Sequence, residues 1–140
     1  MDNIGWNSLV PELTVSDFSE SLRFYTEGIG FEVLFSREDP GFAYLEFERS
    51  QLMIEEAHSS GWNVEELERP YGRGVNLQIE CTNVRGLKDR LLSHDYLLSR
   101  DLEDEWYDLG GTLSGQRELL VQDPDGYLLR FSEPLGERPA

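Results

Sequence analysis

The 140-residue sequence is poor in cysteine and contains no long apolar run. Its single cysteine, Cys81, has no second thiol for an intramolecular disulfide. No apolar stretch approaches the roughly 20 residues that span a bilayer. No positively charged start followed by an apolar run marks a signal peptide. We therefore expect a cytoplasmic protein in a reducing compartment.

Basic residues are also scarce, because 12 Lys and Arg stand against 28 Asp and Glu, for a formal net charge of -16. Such a charge repels nucleic acid phosphates and anionic bilayers over the distance set by salt screening. It attracts metal ions or organic cations, although acidic surfaces also serve simply to keep proteins soluble. Neither nucleic acid nor a membrane is an expected partner.

The composition suits one folded domain over residues 1–140. The chain is 39% hydrophobic and 11% aromatic, and its mean hydropathy of -0.49 indicates a well-solvated exterior. A domain of this length buries roughly two-thirds of its unfolded surface. A soluble globular protein is therefore expected.

The first part of the chain, residues 8–56, has the order strand, helix and three strands. Apolar and polar residues alternate over residues 9–15, which is typical of a strand. Asp17 and Glu20 form a capping-box pattern at the start of a helix. Three further strands are predicted at residues 31–35, 42–47 and 51–56.

Residues 74–133 repeat this order after a polar, glycine-containing connecting loop at residues 57–73. Alternation over residues 75–81 predicts a strand, and Asn83 is the expected cap of a second helix. Three further strands are predicted near residues 96–99, 118–122 and 127–132. The predicted fold class is therefore α+β, built from two βαβββ modules.

Alternation also predicts one mixed polar and apolar face on the sheet of each module. If the apolar residues of each opening strand pack against a helix, the opposite face of the sheet either lines a cleft or faces solvent. The residues on this face are Val10, Glu12, Thr14, Met53 and Glu55 in the first module, and Asn76, Gln78, Glu80, Leu128, Arg130 and Ser132 in the second. The pattern leaves both alternatives open.

Two segments carry a resemblance to a known family: VPELTVSDFSESLRFYTEGIGFEVLF at residues 10–35 and RELLVQDPDGYLLRF at residues 117–131. They resemble the vicinal oxygen chelate superfamily, which includes glyoxalase I, extradiol dioxygenases, fosfomycin-resistance proteins and bleomycin-resistance proteins. The resemblance extends from about Leu9 to Phe131. It implies that the paired modules form a curved mixed sheet around a cleft, commonly in a dimer.

Metal-dependent members of that superfamily place His, Gln or Glu at four inward-facing positions around one divalent ion. Matched residue by residue, these positions fall on Val10, Met53, Asn76 and Arg130. Valine has no donor atom, methionine sulfur is too soft for such ions, and the fixed charge of arginine opposes a bound cation. The resemblance therefore implies no metal and no other cofactor.

A second register remains open. Shifted by two residues, the pattern brings Glu12, Glu55 and Glu80 onto the same face, where three carboxylates could bind a metal. The alternative function is then a divalent-metal-dependent lyase of the glyoxalase type or a dioxygenase.

The segments VPEL, LMIEE and DGYLLRF resemble the bleomycin-resistance branch in particular. That resemblance implies a homodimer that performs no catalysis and sequesters a bleomycin-type glycopeptide antibiotic in its clefts. A binding protein for some other small molecule is a third alternative, which the sequence does not separate from the first.

A cationic ligand with flat aromatic rings needs stacking surfaces and negative potential. Trp62 and Trp106 are favoured for stacking because they lie in predicted polar loops, whereas Trp6 could pack across the dimer. The acidic run at residues 101–105 is either a ligand contact or a solvated loop. The candidate ligand-binding residues are Glu12, Phe35, Phe42, Tyr44, Glu55, Trp62, Asn76, Gln78, Trp106, Tyr107 and Arg130.

Arg130 is predicted to lie inside the cleft, because a buried arginine needs charged partners. The expected partners are Glu12, Glu55 and Glu80. No catalytic residue is predicted, since His58 and His94 lack partners at ligand spacing and Cys81 falls on the apolar face as an inert thiol.

Overall fold

A computed structural model describes residues 5–140. The chain forms two compact units. The first ends at Glu68, and the second comprises Arg69–Ala140. Each unit contains one four-stranded sheet and one α-helix. The predicted α+β class, with two mixed sheets, is confirmed.

The first unit has one strand before its helix and three after it. A π-helical segment, Phe24–Ile29, continues directly from the helix. The elements are β1 (Glu12–Val15), α1 (Phe18–Arg23), β2 (Glu32–Arg37), β3 (Phe42–Phe47) and β4 (Ser50–Glu56). The sheet order is β1-β4-β3-β2, in which β1 and β4 are parallel and the other pairs antiparallel.

The second unit repeats this topology with longer strands. Its elements are β5 (Asn76–Glu80), α2 (Val84–Ser93), β6 (Arg100–Asp108), β7 (Thr112–Gln122) and β8 (Leu128–Pro139). The sheet order is β5-β8-β7-β6, and only β5 and β8 pair in parallel.

Both helices begin where the sequence predicts. The Asp17 side chain accepts a hydrogen bond from the Glu20 backbone N–H at 3.2 Å, and Asn83 accepts one from Gly86 N–H at 3.0 Å. Each side chain satisfies an N–H group that has no partner inside its helix. Gly30 ends the first helical region at a φ of 112°, in the left-handed region that favours glycine.

One face of each sheet is buried with the helical residues of its unit. In the first unit the fully buried side chains include Val15, Leu45 and Ile54 from the strands, and Phe24 and Tyr25 from the helical region. In the second unit they include Leu91, Leu119, Leu129 and Phe131. Because side chains alternate along a strand, the opposite face of each sheet carries the mixed set that the sequence predicts.

The strand predicted near residues 96–99 is wrong, because the strand lies at β6, Arg100–Asp108. The predicted loop at residues 101–105 is therefore also wrong. β6 is an edge strand, and edge strands tolerate charge on both faces, which hides them from hydrophobic periodicity. Cross-strand pairs such as Arg117 Nε to Asp104 Oδ1, at 2.7 Å, accommodate that charge.

The other bounds differ less. β1 begins at Glu12 and not at Leu9, which is 79% exposed. β7 begins earlier and β8 ends later than predicted, because the two strands pair with each other as far as Thr112 and Pro139. Within residues 5–140, no helix is long and apolar enough to cross a membrane.

Candidate functional site

The second sheet contains a cavity of about 210 Å³ on the face opposite Leu129 and Phe131. Its polar lining is strongly charged, and the side chains of Leu120 and Leu128 form the apolar part on this face. The polar lining residues are Asn76, Arg100, Glu103, Glu105, Tyr107, Glu118 and Arg130. The cavity thus combines apolar walls with convergent charged groups, as small-molecule sites do.

Two neighbouring rows of side chains cross the four strands of this sheet. The first row is Gln78, Arg130, Leu120 and Arg100. The second row is Glu80, Ser132, Glu118 and Glu103. An arginine row therefore lies beside an acidic row, and diagonal neighbours across strands are close enough to pair.

Arg130 and Glu118 form the centre of this arrangement. Arg130 Nη2 donates a hydrogen bond to Gln78 Oε1 at 2.7 Å, and Arg130 Nη1 lies 3.5 Å from Glu118 Oε2. Glu118 is only 8% exposed, so the positive charge of Arg130 is needed to compensate its buried negative charge. The Tyr107 hydroxyl donates to Glu118 Oε1 at 2.5 Å. This hydrogen bond and burial raise the pKa of Tyr107.

Two buried side-chain atoms in this centre have no hydrogen-bond partner, Glu118 Oε2 and Arg130 Nε. The ion pair between the two residues is long at 3.5 Å, compared with about 2.7–2.9 Å for a charge-assisted hydrogen bond. Both atoms are buried from solvent, so their unmet hydrogen-bonding capacity lies beneath the surface of the cavity.

The rim of the cavity is a more exposed ion network. Arg100 Nη2 lies 2.7 Å from Glu103 Oε2 and 3.7 Å from Glu105 Oε1, and all three side chains are more than a third exposed. Water screens such pairs, so they add little to stability. They leave the rim with one more negative than positive charge.

The first unit presents acidic residues on the corresponding face of its own sheet. Glu12 lies opposite Met53 in the register, and the adjacent pair is Thr14 and Glu55. The Glu55 carboxylate lies 2.8 Å from His58 Nε2. Burial, followed by the nearby charge of Glu55, raises the pKa of Glu12.

Aromatic rings continue this face. Phe35 stacks on Tyr44 with 5.4 Å between centroids, and the Arg37 guanidinium lies 4.2 Å from the centre of the Phe42 ring. Phe42 and Tyr44 are buried, whereas Phe35 remains 39% exposed. The first sheet therefore offers one exposed ring, at Phe35, with an arginine beside it.

Trp6 packs on this same face, edge-on to Tyr44 at 4.9 Å and to Phe35 at 6.0 Å. Its neighbours are held by the buried Gln51, whose side chain accepts from Asn7 N–H at 2.8 Å and donates to the Gly5 carbonyl at 2.7 Å. The structure thus places Trp6 against its own chain with about half of its surface exposed, and its packing across a dimer stays a prediction.

The predicted site residues fall into groups. Asn76, Tyr107 and Arg130 line the cavity, and Gln78 holds Arg130. Glu12, Phe35, Phe42, Tyr44 and Glu55 share one face of the first sheet. Trp62 lies in a loop and is 94% exposed, next to Asn63, which accepts a hydrogen bond from the Thr14 hydroxyl at 3.0 Å.

Trp106 lies in β6 and not in a loop, which corrects its predicted environment. Alternation along β6 directs it away from Tyr107, to the face opposite the cavity. There its ring packs over Gly115 and lies 3.9 Å from the Arg138 guanidinium. Trp106 therefore packs against its own sheet.

The predicted partners of Arg130 were wrong, because its carboxylate partner is Glu118. Glu118 is a diagonal neighbour across β7 and β8, a relationship that depends on strand register and not on sequence distance. The predicted strand at residues 118–122 could have identified Glu118 as a site residue, since alternation puts Glu118 and Leu120 on one face.

Sequence reasoning also missed Arg100 as a lining residue, together with the specific contribution of Glu103 and Glu105. The signal was the spacing of Glu103, Glu105 and Tyr107 at every second residue, which is the period of a strand.

The chain belongs to the Glyoxalase/Bleomycin resistance protein/Dioxygenase superfamily, whose family model matches residues 7–131. The predicted resemblance is thereby confirmed. The bleomycin resistance protein of Geobacillus stearothermophilus is 30% identical over 136 residues, which cover 90% of this chain and 96% of that relative. A bleomycin resistance protein of Staphylococcus aureus matches equally well.

Solved structures agree on the fold. TioX from Micromonospora sp. ML1 superposes with a TM-score of 0.71 at 19% identity, over 93% of this chain and 100% of that one. A glyoxylase/bleomycin resistance protein/dioxygenase domain from Frankia sp. EAN1pec has a TM-score of 0.63 at 20% identity, over 94% of this chain and 99% of that one. At these identities the likeness concerns the fold alone.

The divalent ion of metal-dependent superfamily members does not fit the residues present. Val10 and Met53 offer no hard donor, and the Arg130 guanidinium is engaged by Gln78 and Glu118. A fixed positive charge at this position opposes a bound cation.

The shifted register gains no support either. Within residues 5–140, no group of three or more His, Cys, Asp or Glu side chains is arranged to hold a metal ion.

Proposed function

We propose that this protein binds a small molecule without transforming it, and that its ligand is a bleomycin-type glycopeptide antibiotic that it sequesters. The observation that carries this proposal is Arg130. At a position where metal-dependent relatives place a metal ligand, this chain has a guanidinium that lines a cavity and pairs with Glu118. This arrangement favours ligand recognition over Lewis-acid chemistry.

The charge of the cavity supports a cationic ligand. Three glutamates and two arginines line it, so one negative charge remains when each arginine is paired with one glutamate. The whole chain carries a formal net charge of -16, which raises the local concentration of cations at the surface. The leucines of the cavity suit an apolar part of the same ligand.

Exposed rings support an aromatic ligand. Phe35 and Trp62 in the first unit and Tyr107 in the second keep much of their surface accessible to solvent. Rings of this kind stack on flat heterocycles and attract cations. The names of the relatives at 30% identity point to the same drug class. A cytoplasmic homodimer is part of the proposal.

Isothermal titration calorimetry with bleomycin tests this proposal. We expect binding with a Kd well below 1 mM, the affinity that corresponds to about 4.1 kcal/mol. Arg130→Lys should weaken binding, because a single ammonium nitrogen replaces the planar guanidinium fork that spans Gln78 and Glu118. Arg117→Lys is the matched control, since Arg117 pairs with Asp104 away from the cavity. Absence of binding below millimolar concentration would reject this ligand.

A further inference from the structure

Arg100 reaches the cavity because β6 contains a β-bulge. In a regular strand, residues three apart point to opposite faces, yet Arg100 and Glu103 both line the cavity. Arg100 lies opposite Leu120 and Glu103 lies opposite Glu118, so three steps along β6 correspond to two steps along β7. The extra residue turns Arg100 onto the face of Glu103, and bulges commonly re-aim a side chain in this way beside a functional site.

The bulge is held from the helix side of the sheet. Lys88 Nζ in α2 lies 2.7 Å from Asp101 Oδ1, and the same oxygen accepts a hydrogen bond from Leu102 N–H at 2.6 Å. The hydrogen bond from Lys88, followed by that from Leu102, lowers the pKa of Asp101. The backbone next to Arg100 is therefore fixed, whereas the Arg100 side chain is 58% exposed and is held by the carboxylates of the rim.

These carboxylates hold Arg100 weakly. Arg100 Nε donates to Glu103 Oε2 at 2.9 Å, and Nη2 lies 2.7 Å from the same oxygen. A guanidinium pairs most strongly when two parallel N–H groups reach both oxygens of one carboxylate, and Arg100 does not form such a pair. Glu105 Oε1 lies 3.7 Å from Nη2, beyond hydrogen-bond distance. Because all three side chains are accessible to water, separating them costs little.

We propose that Arg100 is an internal counter-cation, which an amidinium or guanidinium group of the ligand displaces from Glu103 and Glu105. The ligand group then forms the two-oxygen pair that Arg100 does not form, and the released Arg100 side chain extends into solvent. This inference rests on the proposed binding of a cationic small molecule. It specifies the group that the cavity recognises and the side chain that this group replaces.

The apolar part of the cavity accommodates what is attached to that group. Leu120 lies directly opposite Arg100 in the register, and Leu128 lines the same cavity. The volume of about 210 Å³ is below the roughly 300–1,000 Å³ of sites that enclose a drug-sized molecule. The cavity therefore suits one planar cationic group with the ring or short chain attached to it, as one part of a larger ligand.

An internal counter-cation makes the site selective for charge. A neutral group cannot replace the positive charge of Arg100 beside Glu103 and Glu105, so it does not gain from displacing it. A cation gains the two carboxylates but must first separate Arg100 from them. Removing Arg100 should therefore strengthen the binding of cations and leave the binding of neutral groups nearly unchanged.

Two probes of the same shape test the inference: benzamidine, which is cationic, and benzamide, which is neutral. Their affinities for the wild type and for Arg100→Gln are measured by ¹⁵N-resolved NMR titration. Arg100→Gln should bind benzamidine about fivefold more tightly, the factor expected for release of an exposed ion pair, and its affinity for benzamide should change by less than about twofold. Unchanged or weaker benzamidine binding, or an equal gain for both probes, would overturn the inference.

Arg117→Gln is the matched control, because it removes one positive charge from the opposite face of the same two strands, where Arg117 pairs with Asp104. Screening should keep its effect on benzamidine affinity below about twofold. A gain as large as that of Arg100→Gln would assign the effect to net charge and would overturn the proposed displacement.

The wild type provides a measurement that does not depend on the folding of a variant. Benzamidine should shift the Arg100 Nε–H signal and speed its exchange with water, because the hydrogen bond to Glu103 Oε2 is lost. Benzamide should leave the signal in place. An Arg100 Nε–H signal that does not move at saturating benzamidine would overturn the inference.

Titration of the wild type with bleomycin distinguishes the two proposals. Displacement of Arg100 by benzamidine without bleomycin binding supports the internal counter-cation and rejects the drug as ligand. Bleomycin binding without displacement of Arg100 by benzamidine overturns the internal counter-cation and leaves the proposed function standing.

Discussion

Arg69 Nη2 donates a hydrogen bond to Asp125 Oδ1 at 2.9 Å, and the two side chains differ sharply in exposure, at 60% and 1%. Asp125 lies in the turn between β7 and β8, and its carbonyl accepts from Tyr71 N–H at 2.9 Å. The start of the second unit is thereby bound to the turn that leads into the strand of Arg130.

This asymmetry predicts that Arg69→Ala destabilises the protein by about 2 kcal/mol, because it removes a charge-assisted hydrogen bond from a buried carboxylate. Asp125→Asn should cost less, because the exposed arginine returns to water. Urea unfolding measures both. Arg100→Ala is the control, and its more exposed pair with Glu103 should contribute under about 1 kcal/mol. Equal losses for Arg69→Ala and Arg100→Ala would contradict the account.

Gly115 is predicted not to tolerate alanine. A Cβ atom there would lie 2.6 Å from the Trp106 ring, which is itself held by Arg138. Gly115→Ala should cost about 1–3 kcal/mol through overpacking and should shift the emission of Trp106, measured with Trp6 and Trp62 replaced by Phe. The control is Gly5→Ala, since no atom lies within 4 Å of a Cβ there. An unchanged emission maximum in Gly115→Ala would refute the packing argument.

Glu12 is expected to reduce stability as the pH rises. Its pKa is raised in the folded state, by burial first and then by Glu55, while Arg37 and His58 act in the opposite direction. The folded state therefore holds the Glu12 proton more tightly than the unfolded state. Stability falls as the pH rises from the unfolded pKa, about 4.3, through the folded one.

Glu12→Gln should remove that loss. The urea midpoint of the variant should rise above that of the wild type as the pH goes from about 4 to about 7. An unperturbed glutamate ionises at the lower end of this range, and Glu12 in the folded protein ionises at a higher pH. A wild type that gains on the variant over this range would show that the sign is wrong.

Tyr107 should limit stability at alkaline pH. Its pKa is raised because its hydroxyl donates to Glu118 and is partly desolvated, so the folded state favours the neutral phenol. The contribution is complete below the unfolded pKa of about 10 and is lost as the pH rises through the folded pKa. Tyr107→Phe should therefore lose stability at neutral pH and show a shallower decline above about pH 10. A variant with the same alkaline decline as the wild type would contradict this role.

The helix starts and most strands followed from local chemistry. Asp17 and Asn83 are caps that the sequence identifies, and β3 was predicted at its observed bounds, because both depend on neighbouring residues. The charged edge strand β6 lacked an apolar period and was missed. The pairing of Arg130 with Glu118 depends on the register between β7 and β8, which alternation within a single strand does not determine.

The most direct test of the central claim is isothermal titration of bleomycin into protein treated with a chelator and into untreated protein, with elemental analysis of both. The account predicts the same submillimolar Kd in the two samples and no stoichiometric metal in the untreated one. Stoichiometric nickel, zinc, iron or manganese, with binding lost after chelation, would contradict it.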